Sequence, residues 1–144
     1  MKLKDKVALI TGCATGIGRS TALLFSKEGA KVVLADISQD AEETAQEIRA
    51  SGGHAVFVRG DVSIAFDAQK MVDTAKELYG EINILHNNAG ILRICVDLSK
   101  TEESDWDSIV DINLKGVFLV SKYVIPVMKD SGGGSIVNLS LIHI

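Results

Sequence analysis

The sequence predicts an α/β fold with a doubly wound parallel sheet, truncated after its fifth strand. Short apolar runs recur along the chain and are continuous rather than alternating, which is typical of strands buried on both faces of a parallel sheet. Segments with helical periodicity lie between these runs, so strand and helix alternate from one end to the other. Right-handed crossovers would then place helices on both faces of the sheet.

Each predicted element follows from its own local pattern. The apolar runs predict strands at 6–11, 31–36, 54–61, 82–89 and 135–140. The helical segments are predicted at about 17–28, 39–51, 65–79 and 105–130. The second helix carries Ala45 and Ile48 on one face and stops at the pair Gly52-Gly53. The third has an apolar stripe and ends at Gly80, which is suited to the left-handed cap of a helix.

Composition limits the function classes. A length of 144 residues predicts a single domain, 1–144, or less than one. A net charge of −4 argues against a nucleic-acid partner, which would favour a basic face. The start, MKLKDK, has no signal-peptide core, and no apolar run approaches the roughly 20 residues that span a bilayer. The two cysteines, Cys13 and Cys95, match no disulfide framework or metal spacing, so we expect buried thiols in a reduced, cytoplasmic protein.

A glycine-rich turn, TGCATGIG, joins the first strand to the first helix at residues 11–18. Its glycine spacing is neither G-x-G-x-x-G nor that of the phosphate loop of nucleoside triphosphatases. The turn is nevertheless suited to bind phosphate for the same reasons as both motifs: glycines let the backbone approach a pyrophosphate, and the helix N-terminus carries partial positive charge. A tight turn without a ligand is the alternative. The residues assigned to cofactor binding in this turn are Gly12, Thr15, Gly16, Ile17 and Gly18.

An acidic residue, Asp36, ends the second strand, where a carboxylate would accept hydrogen bonds from the hydroxyls of an adenosine ribose. A carboxylate there repels a 2′-phosphate, and no Arg or Lys stands in the turn before Gly18 to attract one. The predicted cofactor is therefore NAD rather than NADP. In the alternative interpretation Asp36 caps the next helix, a role that Ser38 can also fill. A sheet of this dinucleotide-binding kind usually has one strand more than the five predicted here.

Four motifs in order complete a family pattern: TGCATGIG, GDV at 60–62, NNAG at 87–90 and INLKG at 112–116. Together they closely resemble the short-chain dehydrogenase/reductase family, whose domain is a Rossmann fold, and the resemblance extends to about residue 138. It implies that Asp61 and Val62 flank the adenine ring. It also implies that Asn88, Ala89 and Gly90 border the adenosine ribose and the path to the nicotinamide. Asn113 would be the helix-borne member of a catalytic tetrad, holding a water in a proton relay.

The residues themselves agree with these assignments. Asp61 and Asn88 stand at the carboxyl ends of predicted strands, where open α/β sheets bind ligands. Asn113 is an amide on an apolar helical stripe and must find hydrogen-bond partners. That stripe consists of Trp106, Ile109, Val110 and Val117. In the alternative, a backbone kink satisfies Asn113 and its role is structural. His86 is expected to have no catalytic role, and no metal site is predicted around His54 or His143.

Most of the catalytic set of the family has no counterpart in this sequence. The resemblance implies a Tyr and a Lys four residues apart, yet Tyr79 is followed at that distance by Asn83 and Tyr123 by Val127. The position expected for the catalytic Ser holds Leu141, and the neighbouring Ser140 is assigned no catalytic role. The chain would therefore hold the cofactor-binding half and one of the tetrad residues.

Two hypotheses follow. The first is the N-terminal part of an NAD-dependent alcohol dehydrogenase or ketone reductase, a homo-oligomer (dimer or tetramer) acting on a small molecule; the second is a non-catalytic NAD-binding module or redox sensor. The first is favoured because the helix at 105–130 has a broad apolar face that a stand-alone module would not leave uncovered, and the chain alone is expected to self-associate. This face comprises Val117, Phe118, Val120, Val124 and Ile125. Residues 91–100 would border the substrate but do not identify it.

The final segment, 139–144, reads LSLIHI, and we expect that it does not belong to the protein. Up to Asn138 every segment fits the α/β pattern, whereas Leu141 stands where the chemistry needs a hydroxyl. The hexapeptide is also the translation of CTGTCTCTTATACACATC, a transposon end used in preparing DNA sequencing libraries. The hypothesis is that the reading frame passed from the gene into adapter sequence, and the source DNA would test it.

Overall fold

A computed structural model of the protein describes residues 1–92 and 97–140. The strands are β1 (Val7–Thr11), β2 (Lys31–Asp36), β3 (His54–Arg59), β4 (Ile84–Asn87) and β5 (Ser135–Asn138). The α-helices are α1 (Gly16–Lys27), α2 (Ala41–Ala50), α3 (Ala65–Tyr79), α4 (Glu103–Val110) and α5 (Gly116–Asp130). A 3-10 turn, Leu98–Lys100, precedes α4, and a π-helical segment, Asp111–Lys115, joins α4 to α5.

The five strands form one parallel sheet in the order β3-β2-β1-β4-β5. Helices α1 and α2 pack on one face of this sheet, and α3 and α5 pack on the other. The predicted α/β class, a doubly wound parallel sheet, is confirmed. The chain changes direction across the sheet between β1 and β4, and the crevice outside their carboxyl ends is where open sheets of this kind bind ligands.

The central strand β1 explains why the apolar runs are continuous. All of its residues from Val7 to Ile10 are fully buried. Leu9 belongs to the core under α3 and α5, whereas Ala8 and Ile10 belong to the core under α1 and α2. Both faces of the strand are therefore covered, and neither face leaves a place for a polar residue.

The single helix predicted at 105–130 is wrong in one respect, because a π-helical turn at 111–115 divides it into α4 and α5. Such a turn adds a residue to the helical repeat, so the residues before and after it no longer share one stripe. Trp106 is 62% exposed and does not lie in a buried row with Asn113. Short π-helical segments occur frequently at functional sites.

The apolar face of α5 is only partly uncovered, which corrects the expectation of an open surface. Val120 and Val124 are fully buried in the core shared with α3. Phe118 and Ile125 stay exposed, to 59% and 38%. The prediction failed because the packing partner, α3, is separated from α5 in the chain by β4 and α4, and that pairing is not visible in the pattern of α5 alone.

The last described residues continue from β5. The N–H group of Leu139 donates to the carbonyl of Asn87 (3.0 Å), so the pairing with β4 reaches one residue beyond the strand. Leu141 and the rest of the LSLIHI segment from 141 to 144 lie outside the described residues, as does Cys95. Across the described ranges, no helix has the length and apolar character needed to cross a membrane.

Candidate functional site

The glycine turn between β1 and α1 depends on two properties of glycine. Gly12 and Gly16 have φ angles of +73° and +58°, a region that other residues adopt only with strain. Gly18 lies on the inner side of α1, where an added Cβ would stand 2.0 Å from the carbonyl oxygen of Gly12. The first two glycines therefore shape the turn, and the third permits the helix to pack directly against it.

Asn88 and Thr11 fasten this turn to the end of β4. The side-chain N–H groups of Asn88 donate to the carbonyl oxygens of Thr11 and Gly12, both at 2.9 Å. In return, the Thr11 hydroxyl oxygen accepts from the backbone N–H groups of Asn88 (3.1 Å) and Ala89 (3.0 Å). Sequence reasoning missed Thr11. The available signal was its position as a polar residue at the end of an otherwise apolar strand.

The Asp36 carboxylate sits beside the glycine turn. One oxygen accepts the backbone N–H of Ala14 (2.8 Å), and the other accepts that of Ser38 (2.9 Å). The alternative role of Asp36 as a helix cap is not observed, because α2 begins at Ala41 and the N–H of Asp40 is accepted by the Ser38 hydroxyl. Each Asp36 oxygen keeps lone-pair capacity for a further donor, such as a ribose hydroxyl.

Cys13 lies within the turn but is a structural residue. Its side chain is fully buried, and its Sγ donates to the carbonyl of Ile10 at 2.9 Å. Burial raises the pKa of this thiol far above its usual range, so the thiol stays protonated and unreactive. The prediction of a small buried side chain is confirmed for Cys13.

The loop after β3 forms another wall of the site. Oδ1 of Asp61 accepts the backbone N–H and the hydroxyl of Ser63, at 2.8 and 2.7 Å. Val62 is 8% exposed and packs against α5 at Gly116, where an added Cβ would stand 2.6 Å from the Val62 side chain. The residues GDV thus join the end of β3 to the helix that follows the π-helical segment.

These walls enclose a cleft of about 610 Å³ at the carboxyl ends of β1, β2, β3 and β4. Every predicted cofactor-binding residue except Gly18 lines it: Gly12, Thr15, Gly16, Ile17, Asp36, Asp61, Val62, Asn88, Ala89 and Gly90. Gly18 lies behind the turn and acts through packing. The tertiary structure therefore brings together segments that are up to 78 residues apart in the sequence.

Asn113 does not line the cleft, although its neighbours Ile112 and Ile91 do. Its side-chain oxygen accepts the backbone N–H of Ile91, and its side-chain nitrogen donates to the carbonyl of Ile91, both at 2.8 Å. The amide is thus satisfied by a paired contact with another segment rather than by a kink in its own helix. This contact ties the chain after NNAG to the π-helical turn. The catalytic role of Asn113 stays a prediction.

Replacing Asn113 by alanine is expected to lower the free energy of unfolding by about 1–3 kcal/mol, because the two polar groups of Ile91 lose their partners. Urea denaturation of the purified chain measures this change. Gln69→Ala, which removes an exposed amide from α3, is the matched control and should have an effect near zero. Equal stabilities for the Asn113 and Gln69 variants would contradict the structural role.

The remaining candidate residues lie away from the cleft lining. His86 is 6% exposed in β4, its Nδ1 has no partner among the described residues, and burial lowers its pKa. Tyr79 stands under the ammonium group of Lys31, which lies 5.6 Å from the ring centre. Tyr123 lies on α5 in the same relation to Lys122. In residues 1–92 and 97–140, no group of three or more His, Cys, Asp or Glu side chains is placed to hold a metal ion.

Comparison with known proteins decides the family. A sequence model described as short chain dehydrogenase matches residues 6–143, nearly the whole chain. The protein belongs to the short-chain dehydrogenase family. The cleft at the glycine turn is therefore part of a short-chain dehydrogenase domain, and the resemblance seen in the four sequence motifs is confirmed.

Individual relatives agree with this assignment. An uncharacterized oxidoreductase of Thermotoga maritima is 45% identical over 97% of this chain and 55% of its own length. A 3-oxoacyl-(acyl-carrier-protein) reductase of the same organism is 41% identical over 97% of this chain and 57% of its own. A mitochondrial borneol dehydrogenase of Lavandula x intermedia is 46% identical over 95% and 52%. The chain thus spans about half the length of these relatives.

Short-chain dehydrogenases are oxidoreductases that typically use a nicotinamide cofactor, and the cleft of this member fits such a group. An added Cβ at Gly16 would meet no atom of the described residues within 4 Å, which leaves space for a ligand at the start of α1. Backbone N–H groups at that helix start have no partners within the helix and can meet phosphate oxygens. Asp36 and Asp61 then stand where hydroxyl or amino groups of a nucleotide would find acceptors.

Proposed function

We propose that this protein is an NAD-dependent oxidoreductase that acts on a secondary alcohol or ketone, and that residues 1–144 supply its cofactor-binding part. The observation that carries the proposal is the Asp36 carboxylate, which is held beside the glycine turn by the N–H groups of Ala14 and Ser38. Two ribose hydroxyls can donate to this carboxylate, whereas a 2′-phosphate would bring negative charge against it. NAD is therefore the expected cofactor.

Each part of the cleft has a task in this proposal. The bound nicotinamide would supply or accept the hydride. The start of α1 at Gly16 binds the pyrophosphate through backbone N–H groups, and Asp36 orients the ribose. Asp61 and Val62 border the adenine. The segment Ala89–Gly90, anchored through the Thr11 hydroxyl, leads toward the nicotinamide.

The proposed substrate class is supported by two named relatives and by apolar residues that line the cleft. Borneol is a secondary alcohol and a 3-oxoacyl group contains a ketone, so the named relatives act on the two oxidation states of one functional group. Ile91 and Ile112 contribute apolar surface to the cleft. The segment 91–100 is expected to border the substrate, and its residues 93–96 lie outside the described residues. A homo-oligomer in the cytoplasm is also proposed, from the exposed Phe118 and from the composition.

We expect the full-length protein to bind cofactor and to turn over substrate, and the 144-residue chain to bind cofactor only. The full-length protein that contains residues 1–144 should oxidise or reduce secondary alcohols or ketones with NAD(H), at a kcat/KM well above that with NADP(H). The 144-residue chain alone should bind NADH but show no turnover, because it has no Tyr and Lys four residues apart. Cofactor-dependent absorbance at 340 nm measures turnover, and isothermal calorimetry measures binding.

Two outcomes would contradict the proposal. Equal or better turnover with NADP would remove the assigned role of Asp36. Binding of NAD without any turnover of alcohols or ketones by the full-length protein would favour the other hypothesis, a non-catalytic NAD-binding module or redox sensor.

A further inference from the structure

The cleft has a distinct outer end at the loop after β3. Strands β1, β2 and β3 are neighbours in the sheet, and their carboxyl ends carry the glycine turn, Asp36 and Gly60 in that order. The N–H of Gly60 donates to the carbonyl of Asp36 (2.9 Å), so the two loops touch. A nucleotide with its phosphates on α1 and its ribose at Asp36 therefore places its base beside Gly60 and Asp61. This step rests on the proposed function.

Asp61 presents a free acceptor at this end. Its Oδ1 is occupied by the N–H and hydroxyl of Ser63. Among the described residues, no hydrogen bond reaches its Oδ2. An ionised carboxylate accepts hydrogen bonds and donates none. Adenine offers an amino group to such an acceptor, whereas hypoxanthine has a carbonyl oxygen at the same ring position, which a carboxylate repels. The preference for adenine over hypoxanthine therefore reports where the Asp61 carboxylate stands.

The position of Asp61 depends on a residue in the first turn of α3. Oδ2 of Asp67 accepts the backbone N–H of Asp61 at 2.9 Å, and the helix N-terminus favours a carboxylate at this place. The loop also lies close to the helix. An added Cβ on Gly60 would stand 3.1 Å from the Cβ of Asp67 and 2.9 Å from the end of Met71.

We propose that Asp67 is a positioning residue for the base of the cofactor: it holds the backbone of Asp61 so that the Asp61 carboxylate meets the amino group of adenine. The bonds from Ser63 do not do this, because they join residues two apart and move with the loop. The Asp67 side chain instead bonds the Asp61 N–H directly to the first turn of α3, a helix that packs into the core through Ala68 and Met71.

The test compares two dinucleotides on the full-length protein: NAD and nicotinamide hypoxanthine dinucleotide. The wild type should prefer NAD by about tenfold or more, as expected for a hydrogen bond to a charged acceptor. In Asp67→Ala this preference should fall to roughly a third or less of the wild-type value. Asp67→Asn should keep most of it, because its amide oxygen still accepts the N–H of Asp61. Calorimetric Kd values for both ligands provide the ratio.

Controls separate positioning from folding and charge. Asp73→Ala removes an exposed carboxylate from the same helix and should leave the preference unchanged. If Asp67→Ala does not fold, Asp67→Ser, which suits a helix start but is shorter, should show the same loss. A folded Asp67→Ala or Asp67→Ser variant with lowered Tm and unchanged preference would overturn the proposal. Wild-type protein that binds neither dinucleotide would instead contradict the proposed function.

Discussion

Replacing Gly18 by alanine is expected to weaken NAD binding by roughly a hundredfold, equivalent to about 3 kcal/mol. The new Cβ would stand 2.0 Å from the carbonyl oxygen of Gly12 and 2.5 Å from the side-chain nitrogen of Asn88. Both contacts are to groups that build the turn, so the turn must move away from the helix start that meets the pyrophosphate. Titration of the chain with NADH, followed by fluorescence or calorimetry, measures the loss.

The Gly18→Ala substitution also tests whether helix propensity or the steric clash decides the change in the free energy of unfolding. Helix propensity alone predicts that alanine stabilises a helix by about 1 kcal/mol relative to glycine. The clash predicts a loss of about 1–3 kcal/mol instead, as for other overpacked sites. Ser20→Ala, at an exposed position of α1, is the control for a helix substitution without a clash. A Gly18→Ala chain that is more stable than the wild type and binds NADH normally would show that the turn tolerates the methyl group.

Replacing Asp36 by alanine is expected to lower NAD affinity about ten- to a hundredfold, because it removes a charged acceptor worth roughly 1.5–3 kcal/mol per hydrogen bond. The affinity for NADP should change less or improve, since the repulsion of its 2′-phosphate disappears. The carboxylate also accepts the N–H groups of Ala14 and Ser38, so part of the loss comes from a looser glycine turn. Paired Kd measurements for NADH and NADPH provide the change in preference.

Asp40→Ala is the matched control for this experiment. Asp40 also lines the cleft, yet its side chain makes no cap bond to α2. Its removal tests whether negative charge near the cleft is sufficient for discrimination. If Asp40→Ala and Asp36→Ala shift the NADH to NADPH preference equally, general electrostatics and not a contact at Asp36 accounts for it.

Much of the fold was predictable because its elements have strong local patterns. The strand at 31–36 and the helix at 65–79 have the predicted bounds, since a continuous apolar run and an apolar stripe ending at Gly80 are both local signals. The strand predicted at 82–89 is shorter, at Ile84–Asn87, because its last residues turn away to bond with Thr11. Local composition does not encode such a departure.

The candidate site was predictable where the spacing of residues in a motif indicates what they bind. The glycines at 12, 16 and 18 and Asp36 were assigned from their spacing and their places at strand ends, and NNAG was assigned from the family resemblance. Nearly all of these residues meet in one cleft. The contacts that hold the site were not predictable. Thr11 with Asn88, and Asp67 with Asp61, are pairs whose partners lie on different segments or across a loop, and no periodicity marks them.

The sequence by itself determined the α/β class, the family and most of the residues that line the cleft, because buried strands, amphipathic helices and glycine turns each require a recognisable local composition. Only the tertiary structure decided how these residues are held. In the folded chain Asn113 bonds to the backbone of Ile91, and a π-helical turn divides the predicted helix. Val120 and Val124 are buried against α3, and the Asp67 carboxylate accepts the N–H of Asp61. The physical reason is that a polar group must find a partner somewhere in the folded chain, and which partner it finds depends on packing between distant segments.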